Sequence, residues 1–512
     1  MKPTAGVPAP RWLLGLAALA VCFAAADTYV VVLALPEMMG SVGVPIDELQ
    51  RAAPIISGFL MGYVAILPLI GRIADLRGRV PVLVFSLVLF ALGSLVTAAA
   101  YDMASMVSGR FLQGVGGGGL VPATLALVAD IYPAERRGVP LGIVSAVQEL
   151  GSVLGPLLGA VVLSVADWRA IFALNVAVGV VLAAAIKALR QHAESGTGPT
   201  SRAGPDWIGL CLAGLFTVSV GMVMLQPPPL VRDLSVGRLF VSLAGQGRWM
   251  TPLGAIAALS ALGLVAWLWW SPRGFVDLRG WTRSLVEADL LGALWLAMAL
   301  AGVILAFATA DPKVQVFSPD GAWFLLGAAV AAVAFGWHLR RAPAPLLPRR
   351  ALARTPAWGA LVVSFLIGAA LIAALIDIPL FARTTVHPDS QLGAALVLVR
   401  FLVALPVGAV VGGLAIRRVA PGVVTAVGML LAALGFVLMT RWDLTTLAEP
   451  SANLALLVGG LGFGLALAPV NAALLASTDD AVHGVASAFV VVARMVGMLV
   501  GISALTTLGL RR

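Results

Sequence analysis

The sequence predicts an all-α polytopic membrane protein with about 15 spans. Three observations lead there. Of 512 residues, 60% are hydrophobic and only 11% are charged, where soluble domains carry roughly 25% charged residues. The mean hydropathy is +1.02. No polar linkers divide the chain into the roughly two to four compact domains that a soluble protein of this length would need. This composition excludes soluble enzymes, disulfide scaffolds, disordered tails and nucleic-acid binders. Inside a bilayer the backbone must satisfy its own hydrogen bonds, and runs of about 20 apolar residues do so as helices.

Fifteen such runs can be read, at about 12–35, 52–70, 80–100, 104–131, 138–165, 169–189, 206–226, 251–270, 288–309, 320–340, 356–381, 391–416, 422–440, 453–477 and 482–509. The first has signal-peptide features, with Lys2 and Arg11 ahead of it and Ala24-Ala25-Ala26 resembling a cleavage site. Its apolar run continues through Val30-Val31-Val32-Leu33-Ala34-Leu35, which is too long for a signal core, so it is read as a span. Cys22 and Cys211 fall inside apolar runs and read as small core residues.

The net charge of +9 comes from 33 Lys and Arg against 24 Asp and Glu. Nucleic acid is not needed to explain it, because cytoplasmic loops of membrane proteins collect Lys and Arg. With the N-terminus inside, 20 of the basic residues fall on inner loops and tails and 10 on outer ones. Arg110, Arg400 and Arg494 lie within spans. The bias predicts a cytoplasmic N-terminus in a cell inner membrane. Fifteen crossings then put Arg511-Arg512 outside.

Two repeats organise the chain. Adding 346 maps Gly138-Val139 onto Gly484-Val485, Gly151 onto Gly497 and Gly155 onto Gly501. That is the pattern of two halves related by an axis along the membrane normal. Between them, Asp206-Trp207-Ile208-Gly209-Leu210 and Asp289-Leu290-Leu291-Gly292-Ala293 each open a helical hairpin, and each hairpin ends in aromatic residues. The predicted organisation is a six-helix bundle over 1–190, inserted linker helices over 191–355 (two hairpins, the second reading as a duplicate), and a second bundle of five helices over 356–512. The segment 227–250 is the longest outer loop, and its scattered apolar residues predict that it lies on the membrane surface.

Four motifs carry chemistry. After the second span, Gly71-Arg72-Ile73-Ala74-Asp75-Leu76-Arg77-Gly78-Arg79 combines turn-forming glycines with a charge cluster able to latch neighbouring helix ends. In the fourth span, Arg110 stands before Gln113-Gly114-Val115-Gly116-Gly117-Gly118-Gly119. A charge there needs a cavity or partner, and the glycines allow close helix approach. A phosphate loop would need a preceding strand and a following Lys-Ser/Thr, and neither is present. In the fifth span, Glu149 precedes Gly151, Gly155 and Gly159, which line one face, and Pro156, which removes a helix hydrogen bond. In the first span, Asp27 falls within Ala26-Asp27-Thr28-Tyr29-Val30-Val31-Val32. A central charge costs roughly 2.5–3.5 kcal/mol on insertion, so Asp27 is expected to line a wet cavity or bind a proton.

These motifs, in this order, resemble the major facilitator superfamily, and the first span and inserted helices resemble its fourteen-span drug:proton antiporter branch. Within that branch, the first-span motif, Gln148 to Pro156, and Val491-Val492-Ala493-Arg494-Met495-Val496-Gly497-Met498-Leu499 look like the mycobacterial triacylglyceride exporters. The resemblance implies lipid export, some multidrug efflux and a periplasmic lipid-carrier lipoprotein as partner. It departs in having four inserted helices rather than two and five helices in the second half rather than six. On this reading a counterpart of the last family helix is not found in 356–512, so either the sequence continues beyond Arg512 or another element fills that place.

The sequence-level mechanism makes Asp27 and Glu149 the protonatable groups and Arg494 the partner of Glu149. Both members of that pair stand about twelve residues into their helices, so at one depth. Protonating Glu149 would weaken the pair and shift the population of states. Arg400 and Asp377 are lesser candidates, Asp377 as a solvated end charge, and His483 reads as a helix-end residue. His192, His338, His387 and His483 are scattered, with no nucleophile or metal spacing, so no enzyme, metal or cofactor is expected beyond a proton gradient. The expected substrate is a hydrophobic small molecule or lipid. A general multidrug antiporter is the alternative, and a non-transporting scaffold stands behind both.

Overall fold

The structure, a computed structural model, describes residues 9–45, 49–195, 206–243, 247–271, 276–308, 320–348, 351–386 and 390–510. Lys2, Arg202, Arg273, Lys313, Arg349, Arg350, His387, Arg511 and Arg512 lie outside the described residues, as do the side chains of Tyr29, Val32 and His192. Six helices open the chain: α1 (Ala9–Ser41), α2 (Leu49–Arg77), α3 (Arg79–Ala98), α4 (Met103–Ile131), α5 (Gly138–Val165) and α6 (Arg169–Ser195). The middle holds α7 (Trp207–Leu225), the one-turn α8 (Pro228–Val231), α9 (Pro252–Trp270), α10 (Leu278–Glu287), α11 (Leu290–Ala308) and α12 (Gly321–Arg341). The last five are α13 (Thr355–Thr384), α14 (Gln391–Ala415), α15 (Pro421–Met439), α16 (Ser451–Ser477) and α17 (His483–Leu510). Fifteen of these are long and apolar enough to cross a membrane, and they coincide with the fifteen predicted runs.

Local chemistry sets the helix ends. Gly78, at φ +89°, makes the one-residue break between α2 and α3, a backbone region that side chains avoid. Asp102 starts α4 with a capping box, its carboxylate accepting from the Ser105 N–H at 2.8 Å. Asp206, Asp277 and Asp289 each accept the N–H of the glycine three residues on, so the same Asp-x-x-Gly device starts α7, α10 and α11.

The two halves repeat one another. α1 packs along α5 as α13 packs along α17, and α4 sits between α2 and α3 as α16 sits between α14 and α15. The repeat holds at residue level. A Cβ at Gly151 or Gly155 would collide with the carbonyl of Cys22 or Ala26. At Gly497 or Gly501 it would collide with the carbonyl of Phe365 or Ala369, each 343 residues beyond its counterpart. Gly159 continues the first seam against Val30. Pro156 lies inside α5 without ending it.

The inserted helices pair as two hairpins, α7 with α9 and α11 with α12. Their clasps match. Asp206 accepts from Trp267 Nε1 at 2.9 Å, and Asp289 Oδ1 meets His338 Nε2 at 2.7 Å. In each case an acid at the start of one helix holds a ring nitrogen near the end of the next. α10 was not anticipated, because 271–287 reads in the sequence as a basic inner loop. Leu278, Trp281 and Leu285 recur at helical spacing there, with Arg279 and Arg283 between them, which is the signature of a surface helix. In the outer segment, Leu234, Val241, Leu243 and Met250 are exposed. Trp249 anchors it by donating from Nε1 to the Tyr101 hydroxyl at 3.0 Å.

Large apolar side chains cover the outside, especially on α7, α9, α12 and α15, as a helix meeting lipid allows. Cys22 is buried, but Cys211 lies exposed on α7, not in the core. A membrane helix is apolar all round, so its sequence does not say which face is buried.

Candidate functional site

The halves touch mainly at one end, the end that carries the Gly71–Arg79 loop, called the inner end below. There Gly138 and Gly142 of α5 press on Gly413 and Ala409 of α14, and Gly71 of α2 presses on Gly484 of α17. Farther out the halves separate around a cavity of about 390 Å³. Its walls come from Val21 to Thr28 of α1, Ile56 to Val64 of α2, Leu371 to Ile376 of α13 and Met495 to Leu499 of α17. These surfaces are largely aliphatic and aromatic.

Glu149, Arg494 and Arg110 form the charged part of that wall, and the first two face one another. Arg494 Nη1 stands 3.5 Å from Glu149 Oε1, and both side chains are about nine-tenths buried (11% and 10% exposed). The pairing expected from sequence depth is therefore present, and it joins the two halves. Helix packing aims both groups: Gly151 seats α5 on α1, and Gly368 brings α13 against the carbonyl of Arg494 itself. Gln148 and Ser152 of α5 add polar atoms beside the pair.

Asp27 sits elsewhere. It does not line the central cavity but lies fully buried behind Arg110. Arg110 Nη1 donates to Asp27 Oδ2 at 2.7 Å and to Gln113 Oε1 at 2.6 Å. Gln113 Nε2 donates to Asp27 Oδ1 at 2.9 Å and to Ser94 Oγ at 2.9 Å. Asn175 of α6 donates to the same carboxylate oxygen of Asp27. Arg110 also stacks over Phe59 at 4.4 Å, and it alone of this network reaches the cavity wall. Beside Asp27 and Asn175 is a separate space of about 20 Å³, roughly the size of one water. Asp27 and Arg110 thus satisfy one another, as buried charges must. Asn175 and Ser94 were missed in the sequence. A lone Asn inside the sixth apolar run was a readable signal, whereas Ser94 carried none.

The glycine run of α4 works as steric relief on two sides. A Cβ at Gly114 or Gly118 would strike Phe59 or Tyr63 of α2, and one at Gly116 or Gly119 would strike Phe90 or Ser86 of α3.

The inner end is latched by the 71–79 loop. Asp75 Oδ1 accepts the Gly484 N–H at 2.8 Å and Oδ2 accepts the Val485 N–H at 3.0 Å. A carboxylate from one half therefore caps the positive N-terminus of a helix in the other. Arg79 Nη1 sits 2.8 Å from Asp75 and donates to the Ala74 carbonyl at 2.6 Å, while its Nη2 reaches the Asp480 carbonyl at 3.3 Å. Arg72 donates to the Ala481 carbonyl at 3.4 Å. Arg77 turns away and pairs with Asp277 of α10 at 2.9 Å, over the Trp281 ring. The Gly280 N–H and the Arg77 guanidinium hold the Asp277 carboxyl below the usual carboxylate range.

Two of the three lesser candidates have structural partners. Arg400 donates to Asn453 at 3.0 Å, tying α14 to α16. Asp377 is exposed. His483 is buried at the start of α17 and meets the Leu475 carbonyl at 3.0 Å.

Comparison with known proteins places this geometry. Residues 17–341 match the family model described as Major Facilitator Superfamily. A triacylglyceride transporter of Mycolicibacterium hassiacum is 35% identical over 505 residues, covering 96% of this chain and 78% of that protein. A triacylglyceride transporter of Mycobacterium tuberculosis is 35% identical over 518 residues, covering 98% of this chain and 83% of that one. Among solved structures, the human organic anion transporter MFSD10 aligns with a TM-score of 0.55 at 16% identity, over 98% of this chain and 95% of its own. With a family match over more than half of the chain and relatives 35% identical along nearly all of it, the chain belongs to the Major Facilitator Superfamily: it is a membrane transporter and not an enzyme.

Proposed function

We propose that this transporter exports hydrophobic or amphipathic molecules, lipids such as triacylglycerides first among them, by proton-coupled alternating access. The observation that carries the reading is the Glu149–Arg494 pair, set in the wall of a largely apolar cavity and joining the two halves. Protonation of Glu149 removes one charge of a poorly hydrated pair and favours the state in which the halves are parted there. Asp27 is the second protonation site, held by Arg110, Gln113 and Asn175 until the bundle rearranges. The proton gradient is the energy source and no bound cofactor takes part. The basic inner loops support a cell inner membrane location with a cytoplasmic N-terminus. The likeness to triacylglyceride transporters supports the lipid cargo, and a periplasmic lipid-carrier lipoprotein is the acceptor we propose for it.

A multidrug reading competes on one observation. A cavity of about 390 Å³ falls within the roughly 300–1,000 Å³ of small-molecule sites, so it takes a drug whole but a three-chain lipid only in part. Purified protein in liposomes with an imposed pH gradient separates the two. Triolein movement without any drug supports lipid export, and movement of a lipophilic cation alone supports the drug reading. Glu149→Gln is expected to lower gradient-driven transport about tenfold or more, the factor carried by 1.4 kcal/mol. Unchanged driven transport would remove the coupling role.

A further inference from the structure

We infer that α11, a helix of the inserted segment, belongs to the transport pathway, and that Ile304 is a substrate-contacting residue that takes the apolar part of the cargo. The inference rests on the transport reading above. Ile304 lines the central cavity together with residues of α2 and α17, although α11 lies outside both repeated halves. It is 1% exposed and packs in the same buried cluster as Tyr63 and Val64 of α2 and Val491 of α17. At their inner ends α2 and α17 meet directly through Gly71 and Asp75. Farther out, α11 packs against both helices and closes the cleft between them.

The helix is built as a wall with two faces. Leu290, Leu291, Leu294 and Met298 are exposed on its outer face, while Leu300, Ile304 and Ala306 are buried. Behind it stands α12, close enough at Gly302 that a Cβ there would come within 2.7 Å of the Phe324 carbonyl. Its inner end is pinned. Asp289 meets His338 at 2.7 Å and accepts the Leu346 N–H at 2.9 Å, which ties the hairpin to the chain leading into α13. The other hairpin, α7 with α9, contributes no described residue to the cavity. Among the described residues, the inserted segment therefore reaches the site through α11 alone.

Two consequences follow. An isoleucine, stiff at χ1 and with no polar atom, offers the cargo only dispersion contact, so this wall suits an acyl chain and rejects polar groups. Exchange of cargo between cavity and bilayer is also blocked on the α2–α17 side.

The test uses the unmodified full-length protein in liposomes of phosphatidylethanolamine and phosphatidylglycerol with a diazirine-bearing triacylglyceride. After irradiation, labelled residues are mapped by mass spectrometry with and without excess triolein. Label on Ile304 and on Met498, another cavity residue, is expected to fall about tenfold with triolein at ten times its Kd, by mass action. Label on outer-face Leu294 should not fall. Competed label on Met498 with none on Ile304 would overturn the role of α11 while leaving lipid transport standing. Absence of competed label at both positions would sink the lipid reading itself. As a second measurement, Ile304→Trp should slow triolein transport and Leu294→Trp should not. Equal rates for the two variants would overturn the inference.

Discussion

Replacing Asp75 by Asn keeps the size of the side chain and one carbonyl acceptor but removes its charge. In the folded protein the two carboxylate oxygens take the Gly484 and Val485 N–H groups at 2.8 and 3.0 Å, and Arg79 lies 2.8 Å away. An amide can accept from one of those N–H groups but turns an NH2 toward the other donors. A hydrogen bond to a charged group contributes about 1.5–3 kcal/mol, and an anion at a helix N-terminus about 0.3–1 kcal/mol more. Losing one such bond and the dipole term therefore costs about 2–4 kcal/mol. These contacts join α2 to α17, so they exist only while the inner ends are together, and the whole loss falls on that state. At 1.4 kcal/mol per tenfold, the closed state loses about thirtyfold to a thousandfold against the open one. The Asp75–Arg79 pair lies within one half, so its weakening weighs on both states and leaves the difference to the contacts with α17. Spin labels at Leu76→Cys and Val419→Cys read the result, since both sites are exposed near the inner ends of opposite halves. Cys22 and Cys211 are replaced by Ala for this purpose. Asp75→Asn should move most of the distance distribution to longer values. A distribution unchanged by the substitution would refute the latch, whatever the transport rate.

Two other outcomes are expected. Gly155→Leu forces a side chain onto the Ala26 carbonyl, where even a Cβ would stand 2.5 Å away. The cost is about 1–3 kcal/mol or more, so the melting temperature in detergent should fall clearly, whereas exposed Leu157→Ala should barely move it; similar shifts would show that the α1–α5 seam is looser than described. The Asp277 carboxyl is held low by the Gly280 N–H and then by Arg77. A lowered folded-state pKa stabilises above the ordinary carboxylate value near 3.9 and is lost as pH falls through the folded value. Hydrogen exchange across 278–287 should therefore quicken on acidification below about pH 4, and Asp277→Ala, which removes the cap altogether, should already exchange fast at neutral pH. The same acid response in that variant would assign the loosening to another group.

Much of the site was legible because charges inside a bilayer are rare and costly. Asp27, Arg110, Glu149 and Arg494 stood out against an apolar background for that reason, and the 346-residue repeat put the last two at one depth. What pairs with what was less legible. Asp27 read as a group on a wet cavity, yet Arg110, Gln113 and Asn175 from two other helices close around it. The distances between helices depend on which glycine faces which carbonyl, and that is a property of pairs of helices rather than of either sequence. α10 was hidden for a different reason: its ten residues are too few and too charged to register against spans of about twenty.

The sequence by itself determined the fifteen apolar spans, the two halves, the Asp-started hairpins between them and the few charged residues that lie within the spans. Each of these follows from composition and spacing along one strand of chain, which the solvent of the bilayer judges residue by residue. Only the tertiary structure decided that Asp75 caps a helix of the opposite half, that Asp27 is sealed behind Arg110, and that Ile304 faces the cavity while Leu294 of the same helix faces outward. In an apolar helix every face looks alike to the sequence, and only the neighbours it packs against distinguish wall from lipid surface.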